Sequence, residues 1–236
     1  MNQTIFDATD IEIFPDRLPL FPVGDMILLP RTHLPLNIFE PRYLRMVETV
    51  LANGRFIGVV QTVGKDQFAQ QSADLGTLKR YNSKKPPLQK FGGLGRIVHF
   101  EENSDNRLEI VIKGECRFSL AADRQDPFGF RVGKVAYDDF ESDLEPVMAK
   151  LPRKSFFSVC KKYFNANELN IDWESLEQVD DERIVNSLSM FCPLQAIEKQ
   201  ALLEKTNFED RTQLLVSLME MAIMEIEISG ERQSPQ

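Results

Sequence analysis

Histidine and cysteine are scarce in this chain. Its 236 residues include two histidines, His33 and His99, three cysteines, Cys116, Cys160 and Cys192, and one tryptophan. The cysteines are odd in number, far apart and in no CxxC pair, so neither a disulfide framework nor a zinc site is suggested. Two further soft ligands leave little from which to build a metal centre, and no metal or other cofactor is expected. Both histidines lie in strand-like text and no GxSxG elbow is present, which argues against a Ser-His-acid site. A cysteine nucleophile has no local support, and the three thiols read as reduced and mostly buried. No GxxxxGK[ST] segment occurs, so the backbone cradle and lysine of a P-loop NTPase are missing. The glycines of FGGLGR, residues 91–96, lead into a strand instead of a helix, which favours a turn or a close backbone approach over a phosphate loop. There is no run of about 18 apolar residues, and the opening MNQTIFDATDIEIF has neither a basic nor a continuous apolar region, so a cytoplasmic location without membrane contact is expected.

What is present is the composition of a folded protein, 42% hydrophobic and 27% charged, with a formal net charge of −8. That charge works against long-range attraction to nucleic acid and favours polypeptides or small ligands as partners. A local basic cluster, Arg80, Lys84, Lys85 and Lys90, runs against the trend and reads as a solvated loop.

Short β-branched and aromatic runs bounded by Gly, Pro, Asn and Asp fill the chain from Arg17 to about Ala136. They are RLPLFPV, MILLP, HLPLNIF, RFIGVVQTV, GRIVHFEE, RLEIVIKGECRFSL and FRVGKVAY, as in a compact barrel-like sheet. GRIVHFEE and RLEIVIKG, joined by Asn103-Ser104-Asp105-Asn106, form a hairpin pattern. One helix interrupts, from Pro41 to about Ala52, with Leu44, Val47 and Leu51 as its expected buried stripe and Gly54 as its stop. Residues 64–90 are polar, contain Pro86-Pro87 and read as a long loop.

After Tyr137 the pattern turns helical, across the acidic stretch DDFESDLEP. Pro152 opens a helix to about Asn165, and Asp172 and Asp180 cap the next two. Pro193 precedes LQAIEKQALLEK, and a last helix runs from about Phe208 to Ile228 with Leu214, Leu215, Leu218, Met219 and Ala222 at helical spacing. The fold class is α+β, with domains expected at residues 13–138 and 150–229.

The most distinctive motif is Phe39-Glu40-Pro41-Arg42-Tyr43, at the switch from strand to helix. One reading is structural, with Glu40 and Arg42 tying the helix start while Phe39 and Tyr43 pack. The other is a docking rim for an extended polypeptide, with Phe39, Glu40, Arg42 and Tyr43 as contacts. On the second reading, Arg42→Ala with Tyr43→Ala is expected to weaken client capture and leave the thermal transition nearly unchanged.

LPLFPVGDMILLPRTHLPLNIFEPRYLRMV, residues 18–47, resembles the opening block of the substrate-binding domain at the N-terminus of Lon, the ATP-dependent protease. GGLGRIVHFEENSDNRLEIVIKGECRF, residues 92–118, resembles the family's second block, and VNSLSMFCPLQAIEKQALLE, residues 185–204, the helical part of stand-alone bacterial members. The resemblance implies a PUA-like pseudo-β-barrel with one internal helix, followed by a helical bundle. It implies a non-enzymatic polypeptide-binding module, an adaptor for unfolded or apolar segments that works beside a protease or chaperone. The ATPase and Ser-Lys protease modules of full-length Lon are not expected within these residues. The alternative is RNA binding, because PUA-like folds elsewhere include RNA readers, and the net charge argues against it.

Overall fold

A computed structural model of the chain describes residues 14–65, 82, 85–103, 105 and 107–233, with side chains to residue 228. The expected domain start at residue 13, most of the expected loop at 64–90, Arg80 and Lys84 of the basic cluster, and Ser104 and Asn106 of the hairpin loop lie outside the described residues. The chain divides into two compact units, Met1–Pro146 and Val147–Gln236.

The first unit is a mixed sheet of six strands: β1 (Arg17–Val23), β2 (His33–Ile38), β3 (Phe56–Thr62), β4 (Leu88–Glu102), β5 (Leu108–Gln125) and β6 (Arg131–Ala136). Their order is β2-β5-β4-β3-β1-β6, and β5 also pairs with β6. That extra pairing closes β5, β4, β3, β1 and β6 into a barrel, which removes most of the open edge an antiparallel sheet would leave. The 18 residues of β5 make closure possible, since its first half pairs with β2 and its second half with β6. β1 and β3 are parallel, and the crossover between them carries β2 and helix α1 (Pro41–Ala52). Leu18, Leu20, Val60, Leu94 and Phe118 meet in one buried cluster with Tyr137 and Phe140.

Helix α1 has the expected bounds and a different buried face. Its buried residues are Tyr43, Met46, Val47 and Val50, while Leu44 and Leu51 are only half-buried. The observed set falls at i, i+3, i+4 and i+7, a fuller helical stripe than the expected one, and it enlists the ring of Tyr43. The segment MILLP, expected as a strand, is outside the sheet although Ile27, Leu28 and Leu29 are buried. Its backbone crosses close above β4 and β5: a Cβ at Gly93 would collide with the Leu28 carbonyl oxygen, and one at Gly114 with that of Leu29. Arg31 N–H donates to the Gly114 carbonyl at 2.8 Å and Gly114 N–H to that of Thr32 at 2.9 Å, fixing the crossing. Residues 88–90, expected in the loop, begin β4.

A 3-10 segment, Asp138–Leu144, follows β6. The second unit is helical: α2 (Arg153–Ala166), α3 (Trp173–Glu177), α4 (Asp181–Phe191), α5 (Ala196–Glu204) and α6 (Phe208–Gln233). Asp172 and Asp180 cap α3 and α4, accepting from Ser175 N–H and Arg183 N–H, as their placement before the helices requires. Phe156, Cys160, Tyr163, Ile184, Leu202 and Leu215 are among the residues of its core.

Candidate functional site

The Phe39–Tyr43 motif sits where β2 ends and α1 begins. Glu40 occupies the N-cap position, with Pro41 at the first turn, yet the Glu40 side chain makes no capping hydrogen bond. Its carbonyl accepts from Tyr43 and Leu44 N–H, and its carboxylate turns to Arg42, 2.7 Å from Nη2 and 2.9 Å from Nε. The Arg42 guanidinium lies 4.6 Å above the Tyr43 ring centroid. Tyr43 packs in turn on Phe21 of β1, ring centroids 4.6 Å apart. Glu40, Arg42 and Tyr43 therefore form one stack, anchored in the barrel wall.

Phe39 does not pack as the structural reading supposed. It is 64% exposed, against 7% for Tyr43. Burial pushes the Tyr43 phenol above its ordinary pKa, with the Arg42 charge opposing. The phenol is consequently a neutral hydrogen-bonding group at physiological pH. Because Tyr43 is part of the packed wall, its truncation to alanine opens a cavity, and the expectation of an unchanged thermal transition no longer holds for the Arg42/Tyr43 pair.

Arg42 and Tyr43 form one side of a hollow of about 490 Å³, completed by Pro22 of β1, Thr62 of β3, Phe130 and Arg131. The Arg131 guanidinium is fixed there, gripping Asp123 at 2.7 and 2.8 Å and donating to the Pro86 carbonyl at 2.7 Å. Lys85 of the basic cluster also lines the hollow. Pro22, Phe130 and Arg131 carry no motif in the sequence, because only the closure of β1 against β6 brings them beside α1.

The three thiols are poor nucleophiles. Cys116, Cys160 and Cys192 are buried, and burial pushes each thiol pKa up to about 12. At neutral pH they stay protonated.

Residues 17–221 match the family model described as the ATP-dependent protease La (LON) substrate-binding domain. The chain belongs to the Lon substrate-binding domain family. Among Lon relatives, the Lon protease of Cytophaga hutchinsonii is 28% identical over 232 residues, covering 94% of this chain and 26% of that protein. The Lon protease of Escherichia coli is 20% identical over 212 residues, covering 87% and 25%. The chain thus spans about a quarter of the length of these Lon proteases. Among solved structures, the Lon N-terminal domain protein from Xanthomonas campestris superposes with a TM-score of 0.56 at 22% identity, covering 85% of this chain and 97% of that one. The N-terminal domain of Mycobacterium avium complex Lon protease does so with a TM-score of 0.56 at 14% identity. These likenesses carry the Lon N-terminal fold. Among the described residues no helix is long and apolar enough to cross a membrane.

Proposed function

We propose that this Lon-type domain is a non-enzymatic polypeptide-binding module that holds unfolded or apolar segments of other proteins for a protease or chaperone. The observation that carries the reading is the exposed ring of Phe39 at the edge of a rigid Glu40-Arg42-Tyr43 stack that opens onto a hollow. An exposed aromatic next to a buried one supplies contact area at low conformational cost, and the stacked guanidinium offers N–H groups to main-chain carbonyls. Family membership supports the reading, since the family is described by substrate binding. The protonated state of the buried thiols gives no support to hydrolysis by cysteine.

The test is fluorescence anisotropy of a labelled, reduced and carboxymethylated client chain titrated with wild type, Phe39→Ala and Arg42→Ala. Wild type binds and both variants bind more weakly. Equal binding by all three removes the motif from the contact surface. RNA remains the alternative, and labelled RNA in the same titration separates it. In the hollow, the Arg42 and Arg131 charges are already met by Glu40 and Asp123, which weakens it as a phosphate track.

A further inference from the structure

A second groove runs along the helical unit between α2 and α6. Two hollows, of about 390 and 630 Å³, share Val159 and Glu220 as walls and so join end to end. Phe156 and Phe208 lie in the first, Ala166 and Glu227 in the second, so the lining advances together along both helices, which run side by side in the same sense. From Phe208 to Glu227 the groove is about 28 Å long at 1.5 Å per residue.

Its floor is apolar. Val159, Val216 and Ile223 are half-covered, one side against the unit's core and the other toward the groove. The hydroxyls along it are spent within their own helices: Ser155 Oγ donates to the Pro152 carbonyl at 2.9 Å and Thr212 Oγ1 to that of Phe208 at 2.8 Å. Met224 adds a flexible, 56% exposed side chain of the kind that adapts to varied apolar partners.

Its two rims carry opposite charge. On the α6 wall stand Glu209, Glu220 and Glu227, and on the opposite wall Lys162 of α2 and Lys150 just ahead of it. All five are exposed, and among the described residues none is in an ion pair. An apolar trough with one acidic and one basic rim matches a helix that has an apolar face, one basic flank and one acidic flank. A second copy of this chain fits poorly through its own exposed apolar helix face, Met221, Met224 and Ile228, because acidic Glu220 and Glu227 accompany that stripe.

We infer that the groove between α2 and α6 is a docking site for an amphipathic helix of a partner protein, its basic flank against the glutamates of α6 and its acidic flank against Lys150 and Lys162. The inference does not rest on the Phe39–Tyr43 reading; it concerns a different unit and a folded helix instead of an extended segment.

The test uses the full chain and an 18-residue fluorescent helical peptide with a leucine face, a lysine flank and a glutamate flank. A control peptide has the same composition with lysine and glutamate mixed on both flanks. At low salt the striped peptide binds, and the control binds more weakly. Reversing one wall with Glu220→Lys and Glu227→Lys weakens the striped peptide about tenfold, from two attractive contacts becoming repulsive. Reversing the other wall as well, with Lys150→Glu and Lys162→Glu, restores binding, because the peptide then fits turned end for end. The inference is overturned by equal affinity for the two peptides, by an affinity that one-wall reversal does not move, or by failure of the double reversal to restore it. Sedimentation showing self-association that Glu220→Lys and Glu227→Lys abolish also overturns it, and assigns the groove to a second copy.

Discussion

Arg117 and Asp143 form a buried, forked ion pair that fastens the 3-10 segment to the barrel. The Asp143 carboxylate accepts from Arg117 Nη2 at 2.6 Å, Nε at 2.8 Å and the Arg117 backbone N–H at 2.9 Å. The guanidinium also lies 4.4 Å above the Phe140 ring. Arg31 reinforces the fastening by donating to the carbonyls of Asp143 at 2.7 Å and Glu145 at 2.8 Å. Removing one member of such a pair leaves the other charged and buried, so Asp143→Ala is expected to destabilise by about 3–5 kcal/mol. The double variant Arg117→Met, Asp143→Leu, which removes both charges, is expected to lose less than Asp143→Ala alone. Urea unfolding of the three proteins measures this, and a double variant that is the least stable contradicts it.

Gly93 meets the Leu28 carbonyl so closely that a methyl group has no room. Gly93→Ala is therefore expected to destabilise by about 1–3 kcal/mol through forced backbone movement. Gly24→Ala is the control, since a Cβ there meets nothing within 4 Å. Similar midpoints in urea for both variants would contradict the crossing of MILLP over the sheet.

How far these features could be read from the sequence depends on whether the signal is local. The cap residues Asp172 and Asp180 and the hairpin strands β4 and β5 are legible because their partners lie a few residues away. The resemblance to the Lon substrate-binding domain, carried by residue order over three blocks, supplied the barrel and the bundle. MILLP is not legible as a crossing segment because an apolar run reads alike in a strand and in a buried crossing, and the glycines that admit the crossing, Gly93 and Gly114, are over sixty residues downstream. The expected stripe of α1, Leu44, Val47 and Leu51, departs from the observed Tyr43, Met46, Val47 and Val50 because it counts only the most apolar side chains, and a tyrosine ring can complete a buried face while its hydroxyl stays polar. The hollow beside Arg42 depends on Pro22 and Arg131, which only barrel closure unites.

Alkaline pH acts on the thiols. Each cysteine is held near a pKa of about 12, above the ordinary value of 9.0. The folded state thus keeps protons that the unfolded chain releases, so stability is fully present below about pH 9 and falls as pH rises toward 12. A variant carrying Cys116→Ala, Cys160→Ala and Cys192→Ala is expected to show a shallower loss of urea midpoint between pH 8.5 and 10 (roughly the window set by that linkage). An identical slope in both proteins would place the alkaline loss elsewhere. At pH 8 the native thiols are expected to react with a disulfide reagent far more slowly than in denaturant.

Stability and binding separate within the Phe39–Tyr43 motif. Phe39 is exposed, and the Arg42–Glu40 pair has side chains 44% and 43% exposed, so truncating Phe39 or Arg42 is expected to stay within about 1 kcal/mol of wild type. Tyr43→Ala removes a buried ring that packs on Phe21 and is expected to destabilise by about 3 kcal/mol. Tyr43→Phe keeps the ring and its contact with the guanidinium and is expected to restore most of that loss, which makes it the proper probe of the hydroxyl in client binding. Parallel urea unfolding and client anisotropy at 25 °C decide the matter. A contact role requires Phe39→Ala and Arg42→Ala to lose binding at unchanged midpoint, because a purely structural motif would lose binding only in step with stability, as Tyr43→Ala does.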